Sequence, residues 1–400
     1  MKRNSHSPMI SRGWPMHAEN LRHHISSVEQ FDAVAFLQRI VAIDSCDPPG
    51  GELEVAGEVH KQLLALGIES ELDEFLPGRA NVLGRLRGQG EKASFVLSAH
   101  MDTVPVGSMP WRHDPFSARI SNGRLYGRGA SDMKSALVAM IAAAEQLAKN
   151  RSALKGDVIL AFTAGESANL LGARRFVERG LKNEIGAFLC GEPSGLDIVI
   201  VEKAALWLRA TATGRLGHVS GDAGINAISA MNEFLSRLGA LELTCAVHPL
   251  LDPPTIRVGR IEGGTAVNLT PDLCVADFDI RLPPATDYLD VIKRVEAVAP
   301  DAISISILDF KPAVETQPDD PFVRLCGEMS RRHTGRVPQL KGVSYYSDAT
   351  VMIEGLDVPF AIVGPGDLGL SGQPDESVSI DNVMTAAKIY ADIAEVWLSC

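Results

Sequence analysis

The chain has 400 residues, 46% of them hydrophobic and 22% charged, with a formal net charge of −12. Such a length suits two domains around a sizeable apolar core. The acidic balance argues against a phosphate backbone as partner, so nucleic acid is excluded. The basic opening, MKRNSHSPMISRGWPMHAENLRHH, lacks an apolar core of signal or membrane-spanning length.

Residues 1–25 are expected to form a mobile arm whose His6, His17, His23 and His24 are solvated. Six cysteines, at 46, 190, 245, 274, 326 and 400, form no C-x-x-C pair. They read as free thiols in a reducing, cytoplasmic compartment. No membrane partner is expected.

A first helix is expected over SSVEQFDAVAFLQRIVAI. Its Phe31, Val34, Phe36, Leu37 and Ile40 recur at roughly helical spacing, and Ser26 or Ser27 caps it. DSCDPPGGE is a turn, and ELEVAGEVHKQLLALG a helix stopped at Gly67. NVLGRLRG reads as a strand, and SFVLSAHMDTVP as a buried strand that releases polar residues at its end. Gly123–Gly129 is expected to be a turn and DMKSALVAMIAAAEQLAKN a helix. GDVILAFTAGE is a strand, LLGARRFVERG a helix and IGAFLCGEPSG a strand that ends in a carboxylate. Strands alternating with helices predict an α/β sheet covered on both faces.

Near residue 205 the pattern changes. AALWLRATATG alternates, and a helix, two strands, a helix and a strand follow to AISISILDF. This predicts a small α+β sandwich over 205–314, inserted into a larger domain of 26–204 and 315–400. The remainder carries a helix over FVRLCGEMSRRHTG, a strand near VPFAIVGPG and a last helix over DNVMTAAKIYADIAEVWL.

Four places put acids or a histidine just beyond an apolar strand: His100 with Asp102, Asp132, Glu166 and Glu192. Each alone is more often a cap or loop contact. Parallel strands ending at one edge would gather all of them, at the edge where open α/β sheets bind ligands. Clustered carboxylates repel unless a cation compensates. His, Asp and Glu together form a sensible ligand set for a divalent metal with a position left for water.

Ordered motifs from about residue 30 to 395 carry a resemblance: SAHMDTVPVG, WRHDPFSARISNGRLYGRGASDMKSALVAM, FTAGES, CGEPSG, GRLGHVSGDAGINAI, GGTAVNLTPD with DIR, and GPGDLGLSGQPDES. The chain resembles the zinc-dependent family that contains acetylornithine deacetylase, succinyl-diaminopimelate desuccinylase, aminoacylase and glutamate carboxypeptidase. The resemblance implies a mixed sheet with helices on both faces as the catalytic domain. The insert would be a lid and dimerisation domain, making a homodimer. His100, Asp132 and Glu192 would bind the first metal, with Asp132 bridging to a second in the family. Asp102 would orient the His100 ring by a hydrogen bond to its other nitrogen. Glu166 would be the general base. His218 would reach the partner's active site to stabilise an oxyanion. Asn268 and Arg281 would face substrate, the arginine forking onto a carboxylate, although a strand-end ion pair is the alternative for Arg281.

Two positions depart from the family. It carries two consecutive glutamates where this chain has Glu166 and Ser167, and a histidine where this chain has Gly372. Both are private ligands of the second metal. The expectation is therefore one divalent ion per chain, Zn2+ or Mn2+, unless Asp375, Glu376 or the Ser347–Asp348 loop supplies a substitute. The implied activity is hydrolysis of a C–N bond, an amide or N-acyl bond, in a small carboxylate-bearing substrate by water activated at the metal. An aminohydrolase acting on an aromatic amine such as an aminobenzoate is the alternative. A catalytically inactive small-molecule binding or assembly protein is another.

Overall fold

A computed structural model describes residues 31–399 apart from Val219 and Asp222. The expected arm over 1–25, its histidines, the Ser26 or Ser27 cap and Cys400 lie outside the described residues.

The first helix, α1 (Ala33–Val41), starts where the Asp32 side chain accepts from the Ala35 N–H. This is a standard cap, since the first turn leaves its N–H groups without helical partners. Helix α2 (Glu52–Ala65) ends before Gly67, which adopts φ +70°. Strands β1 (Glu69–Leu76), β2 (Arg79–Leu86) and β3 (Lys92–His100) follow. Next come β4 (Arg119–Ser121) and β5 (Arg124–Tyr126), helix α3 (Ser135–Ala148), β6 (Gly156–Thr163) and α4 (Leu171–Glu178). Strands β7 (Ile185–Cys190), β8 (Ile198–Glu202), β9 (Ala204–Thr213) and β10 (Gly217–His218) lead to helix α5 (Ala227–Gly239).

The chain continues with β11 (Thr255–Gly263), β12 (Leu269–Thr270), β13 (Leu273–Leu282), α6 (Tyr288–Val298) and β14 (Ile303–Lys311). It closes with β15 (Val314–Glu315), α7 (Pro321–Thr334), β16 (Leu340–Val343), α8 (Ala349–Met352), β17 (Phe360–Ile362), β18 (Ser377–Ser379) and α9 (Ile380–Ser399).

The large sheet is mixed and runs β1-β2-β6-β3-β7-β17-β8-β15, with β16 paired to β8. Its centre, β6-β3-β7-β17, is parallel. Phe95, Val96, Leu97, Phe162, Phe188 and Leu189 are fully buried there. Each such side chain contributes roughly 1.5–3 kcal/mol by leaving water. Helix α3 packs on β3 and α9, while α2 packs on β1 and β2. The alanine-rich face of α3 brings its backbone close to its neighbours, which is why Ala136, Ala139, Ala143 and Ala144 are wholly buried.

The chain leaves this sheet after β8 and rejoins it at β15. Between them, β11-β13-β9-β14 form an antiparallel sheet. Leu206, Leu208, Ala210, Phe278 and Ile280 on one face pack with Met231 and Phe234 of α5 and Val295 of α6. Strands with two-residue alternation against two amphipathic helices give the expected α+β sandwich. Among the described residues no helix is long and apolar enough to cross a membrane.

Several elements differ from expectation. The segment 123–129 is not a plain turn: β4 and β5 form a hairpin turning at Asn122 (φ +50°) and Gly123 (φ +72°). Asn-Gly suits the positive dihedrals that a two-residue hairpin needs. Strand β1 escapes the sequence reading because ESELDEFL is an acidic edge strand with no fully buried position. Such charge protects a sheet edge from foreign strands. Strand β8 was hidden because only Lys203 separates it from β9.

Candidate metal centre and active site

Because β3, β6 and β7 are parallel neighbours, their carboxyl ends lie at one edge. His100 is the last residue of β3, Glu166 follows β6 by three residues, and Glu192 follows β7 by two. Asp132 comes from the turn before α3, with extended dihedrals rather than a place in the helix.

His100 is buried, and its Nδ1 lies 2.9 Å from the carbonyl oxygen of Asp102. An Nδ1–H donated there leaves Nε2 free to act as a ligand. Nε2 lies 3.1 Å from Asp132 Oδ1 and 3.7 Å from Glu192 Oε1. The candidate ligand atoms of these three residues are all within 4.8 Å of one another.

The electrostatics fit a cation. Burial pushes the Glu192 carboxyl well above its ordinary range, and Asp132 adds to that. Burial also opposes a proton on His100, yet the hydrogen bond to Asp132 and the charges of Asp102 and Glu192 raise its pKa well above normal. Burial acts against ionised Asp132 as well, but His100 and Ser371 bring it net below normal. The buried carboxylates repel one another, and a divalent ion held between them would offset that repulsion.

Glu166 faces the same cavity, whose volume is about 260 Å3. Its carboxyl is raised to about 8, first by burial, then by Asp102, Asp348 and Asp132, with His100 opposing. Tyr345, Tyr346, Pro193 and Leu368 form the apolar and aromatic walls.

The Asp102 carboxylate does not bond the His100 ring: Nδ1 is 3.7 Å from Oδ1, and the Asp102 carbonyl takes that bond instead. Its oxygens accept from the backbone N–H groups of Glu166 (3.0 Å) and Ser167 (3.2 Å) and from Ser167 Oγ (2.8 Å). Ser371 Oγ donates to Asp132 Oδ2 in a short hydrogen bond. Gly372 adopts φ +72°, and its carbonyl accepts from Arg128 Nη2 at 3.0 Å.

Glu376 is fully engaged. One oxygen accepts from Arg128 Nη1 at 2.5 Å, and the other accepts from the Ser131 and Asp132 N–H groups at 2.9 and 3.0 Å. Asp375 accepts from the Arg112 N–H at 2.8 Å. Asp348 is buried and takes the hydroxyls of Thr163 (2.6 Å) and Ser98 (3.2 Å). The space between Ser167, Ser371 and Gly372 is a cavity of only about 40 Å3, bordered by Arg128.

His218 and Asn268 are exposed, hydrogen-bonded to one another at 3.3 Å, and are not among the residues lining the cavity that Glu166 faces. Arg281 forks onto Asp279 at 2.7 and 2.9 Å, the strand-end ion pair named as its alternative. Its guanidinium lies 4.9 Å from the Tyr346 ring centroid. The sequence reading missed Ser371, the Arg128–Glu376 pair and the two tyrosines. Ser371 directly precedes the Gly372 departure, and that adjacency was the available signal.

The signature described as "Peptidase family M20/M25/M40" matches residues 96–396. The chain belongs to that family. It is 32% identical over 357 residues to an acetylornithine deacetylase of Vibrio atlanticus (strain LGP32), covering 85% of this chain and 91% of the relative. Its fold matches an M20 family metallo-carboxypeptidase from Sulfolobus solfataricus with a TM-score of 0.76 at 20% identity, over 92% of this chain and 99% of the other. A dinuclear metal-binding peptidase of the M20 family from Bacillus subtilis matches with a TM-score of 0.70 at 17% identity, over 92% and 97%. Membership of the M20 family makes the protein a metallohydrolase acting on carbon–nitrogen bonds, with a divalent metal implied.

Proposed function

We propose that this M20 protein is a one-ion hydrolase of the carbon–nitrogen bond in a small N-acylated amino acid or short peptide. The observation that carries the reading is the unequal use of the carboxylates. Atoms of His100, Asp132 and Glu192 face one another within 4.8 Å, whereas Asp102 and Asp132 turn other oxygens to the hydroxyls of Ser167 and Ser371. Glutamates and aspartates that already accept protein donors make poor replacement ligands, and Glu376 and Asp375 are both so engaged.

A zinc or manganese ion held by His100, Asp132 and Glu192 would activate water and polarise the carbonyl under attack. Glu166 takes the proton of the attacking water and returns it to the leaving nitrogen. A carboxyl raised toward neutrality by burial suits both tasks. Asp102 fixes the ring of His100 through its carbonyl and the turn of Glu166 through its carboxylate. The tyrosine walls exclude water from the acyl group; Arg281, near Tyr346, would recognise a substrate carboxylate only by releasing Asp279 from its fork.

The 205–314 segment acts as lid and dimer surface in this reading. His218 and Asn268 complete the partner's cavity, which their exposure and their absence from the lining of their own cavity support. Mixed dimers of Glu166→Gln and His218→Ala chains should regain activity that neither parent has. Absence of recovery would remove the cross-subunit role. A cytoplasmic location belongs to the same proposal, supported by the free thiols of Cys46, Cys190, Cys245, Cys274 and Cys326.

The central test is metal content on protein purified without added metal, followed by chelation and stepwise readdition. One ion per chain is expected, with hydrolysis of N-acetylated amino acids or dipeptides saturating at one equivalent. Two ions, both needed for activity, would overturn the one-ion reading. Turnover of an aminobenzoate alone would replace amide hydrolysis with amine hydrolysis.

A further inference from the structure

Beyond the ligand triad lies a second group of close carboxylates, Asp47, Glu52 and Asp102, with Arg79 between them. All are buried or nearly so. Their spacing would admit a cation, but at least one oxygen of each faces a protein donor. Four consecutive backbone N–H groups leave the end of β6 and each meets a side-chain acceptor. Ala164 donates to Asn81 Oδ1 at 3.1 Å and Gly165 to Glu52 Oε1 at 3.0 Å. Glu166 donates to Asp102 Oδ1 at 3.0 Å and Ser167 to Asp102 Oδ2 at 3.2 Å. The Asn81 amide also donates to the Gly172 carbonyl at 2.8 Å, tying the start of α4 to the same strand end.

We propose that Glu52 and Ser167 are positioning residues for Glu166, members of a side-chain cradle that fixes the backbone of residues 164–167. The proposal rests on Glu166 as the general base. Ser167 adds a hydroxyl anchor to its N–H: Oγ lies 2.8 Å from Asp102 Oδ2 and 3.4 Å from Asp47 Oδ2. The position that carries a metal-binding carboxylate in the family therefore serves here as a donor to the carboxylate beneath it. A glutamate in its place would set a further negative charge beside Asp47 and Asp102.

The cradle explains its own local sequence. Gly165 has φ +66°, and a Cβ there would lie 2.5 Å from Arg79 Nη1, so the turn needs glycine. Arg79 is held by Asp47 at 2.6 Å and by the Pro49 carbonyl at 3.0 Å. One guanidinium does not neutralise three carboxylates, and the N–H dipoles of Gly165, Glu166 and Ser167 add partial positive charge where the acids need it. The turn and the acids stabilise each other, which holds the Glu166 backbone in one place. Proton transfer depends steeply on such placement, and a displacement of about 1 Å can cost about 10²-fold.

The test compares Glu52→Gln, Glu52→Ala, Ser167→Ala and the parent chain. Amide hydrogen exchange at residues 165–167, zinc content per chain and steady-state kinetics on the best N-acetylated amino acid are measured for each. Glu52→Gln keeps an acceptor for Gly165 and should retain parent exchange and kcat. Glu52→Ala and Ser167→Ala should exchange at 165–167 about tenfold faster, the factor that a lost charge-assisted hydrogen bond supplies. In both, kcat should fall by about tenfold or more with KM near its parent value and zinc content unchanged. Ser167→Ala removes one exposed-side hydroxyl, so it decides the matter if Glu52→Ala fails to fold. Parent-like exchange and kcat in Ser167→Ala overturn the cradle's role. Equal losses in Glu52→Gln and Glu52→Ala overturn the part given to Glu52. Exchange is read without substrate, so active Glu166→Gln protein would sink the general base while leaving the cradle to be judged on exchange alone.

Discussion

The two sides of the Asp132 carboxylate differ sharply. On one side Oδ1 meets His100 and, beyond it, Glu192, an arrangement of ring nitrogen and carboxylate oxygens that calls for a cation. On the other, Oδ2 meets the Ser371 hydroxyl, and the neighbouring space is lined by Ser167, Gly372 and Arg128 together with His100, Asp102, Glu166 and Glu376, of which Asp102 and Glu376 already accept protein donors. Both sides are built from strand ends and turns of the same sheet edge. What separates them is whether a carboxylate oxygen finds a protein donor. An oxygen already capped by a hydroxyl or N–H has less to gain from a metal, whereas buried and mutually repelling carboxylates gain most.

The largest expected effect breaks the first side. Glu166→Gln keeps the shape of the side chain and removes its basicity, so kcat should fall by about 10²–10⁴-fold while metal analysis still finds the parent content. Full activity in that variant would remove the general-base role. Next comes the support beneath the second side. Glu376→Ala leaves Arg128, 1% exposed, without its carboxylate. Denaturant unfolding should report a loss of about 3–5 kcal/mol, the usual consequence of orphaning one member of a buried pair. A loss below about 1 kcal/mol would mean that Arg128 finds other partners.

A third change tries to make the two sides alike. Ser167→Glu combined with Gly372→His returns a carboxylate and an imidazole to the rim of the small cavity, and metal analysis should then find a second equivalent. A Cβ at position 372 meets only Val104, at 3.5 Å, so the histidine has room, although φ +72° strains it. A content unchanged from the parent would show that something other than these two residues sets the metal count. The smallest effect is expected from Ser371→Ala. Removing one hydroxyl donor leaves Asp132 a stronger ligand, and metal affinity should tighten by less than about tenfold. Weaker binding would make Ser371 a support of the ligand set.

Much of this was legible in the chain. The apolar runs SFVLSAH, GDVILAFTA and IGAFLC announced buried strands, and each was followed by a ligand-type residue. Neighbouring parallel strands then required those residues to meet. The alternating patterns of AALWLRATAT and LCVADFDIRL likewise announced a half-exposed sheet. Other features carried no such signal. Strand β1 has no buried face to read. Glu52 lies in the first turn of α2, where acids are common, yet its carboxylate is fully buried against Gly165. Arg281 read as a substrate clamp with a strand-end ion pair as the alternative, and in this structure Asp279 occupies its fork.

By itself, then, the sequence determined the order of the main buried strands and helices, the candidate metal-type residues and the two departures at Ser167 and Gly372. These are local properties, set by hydrophobic periodicity, by turn residues and by which atoms a side chain can offer. Only the tertiary structure decided which oxygen of each carboxylate is spoken for. That depends on donors far away in the chain, 250 residues in the case of Ser98 and Asp348. A hydrogen bond is directional and short-ranged, so its partner is fixed by packing and cannot be read from composition or spacing.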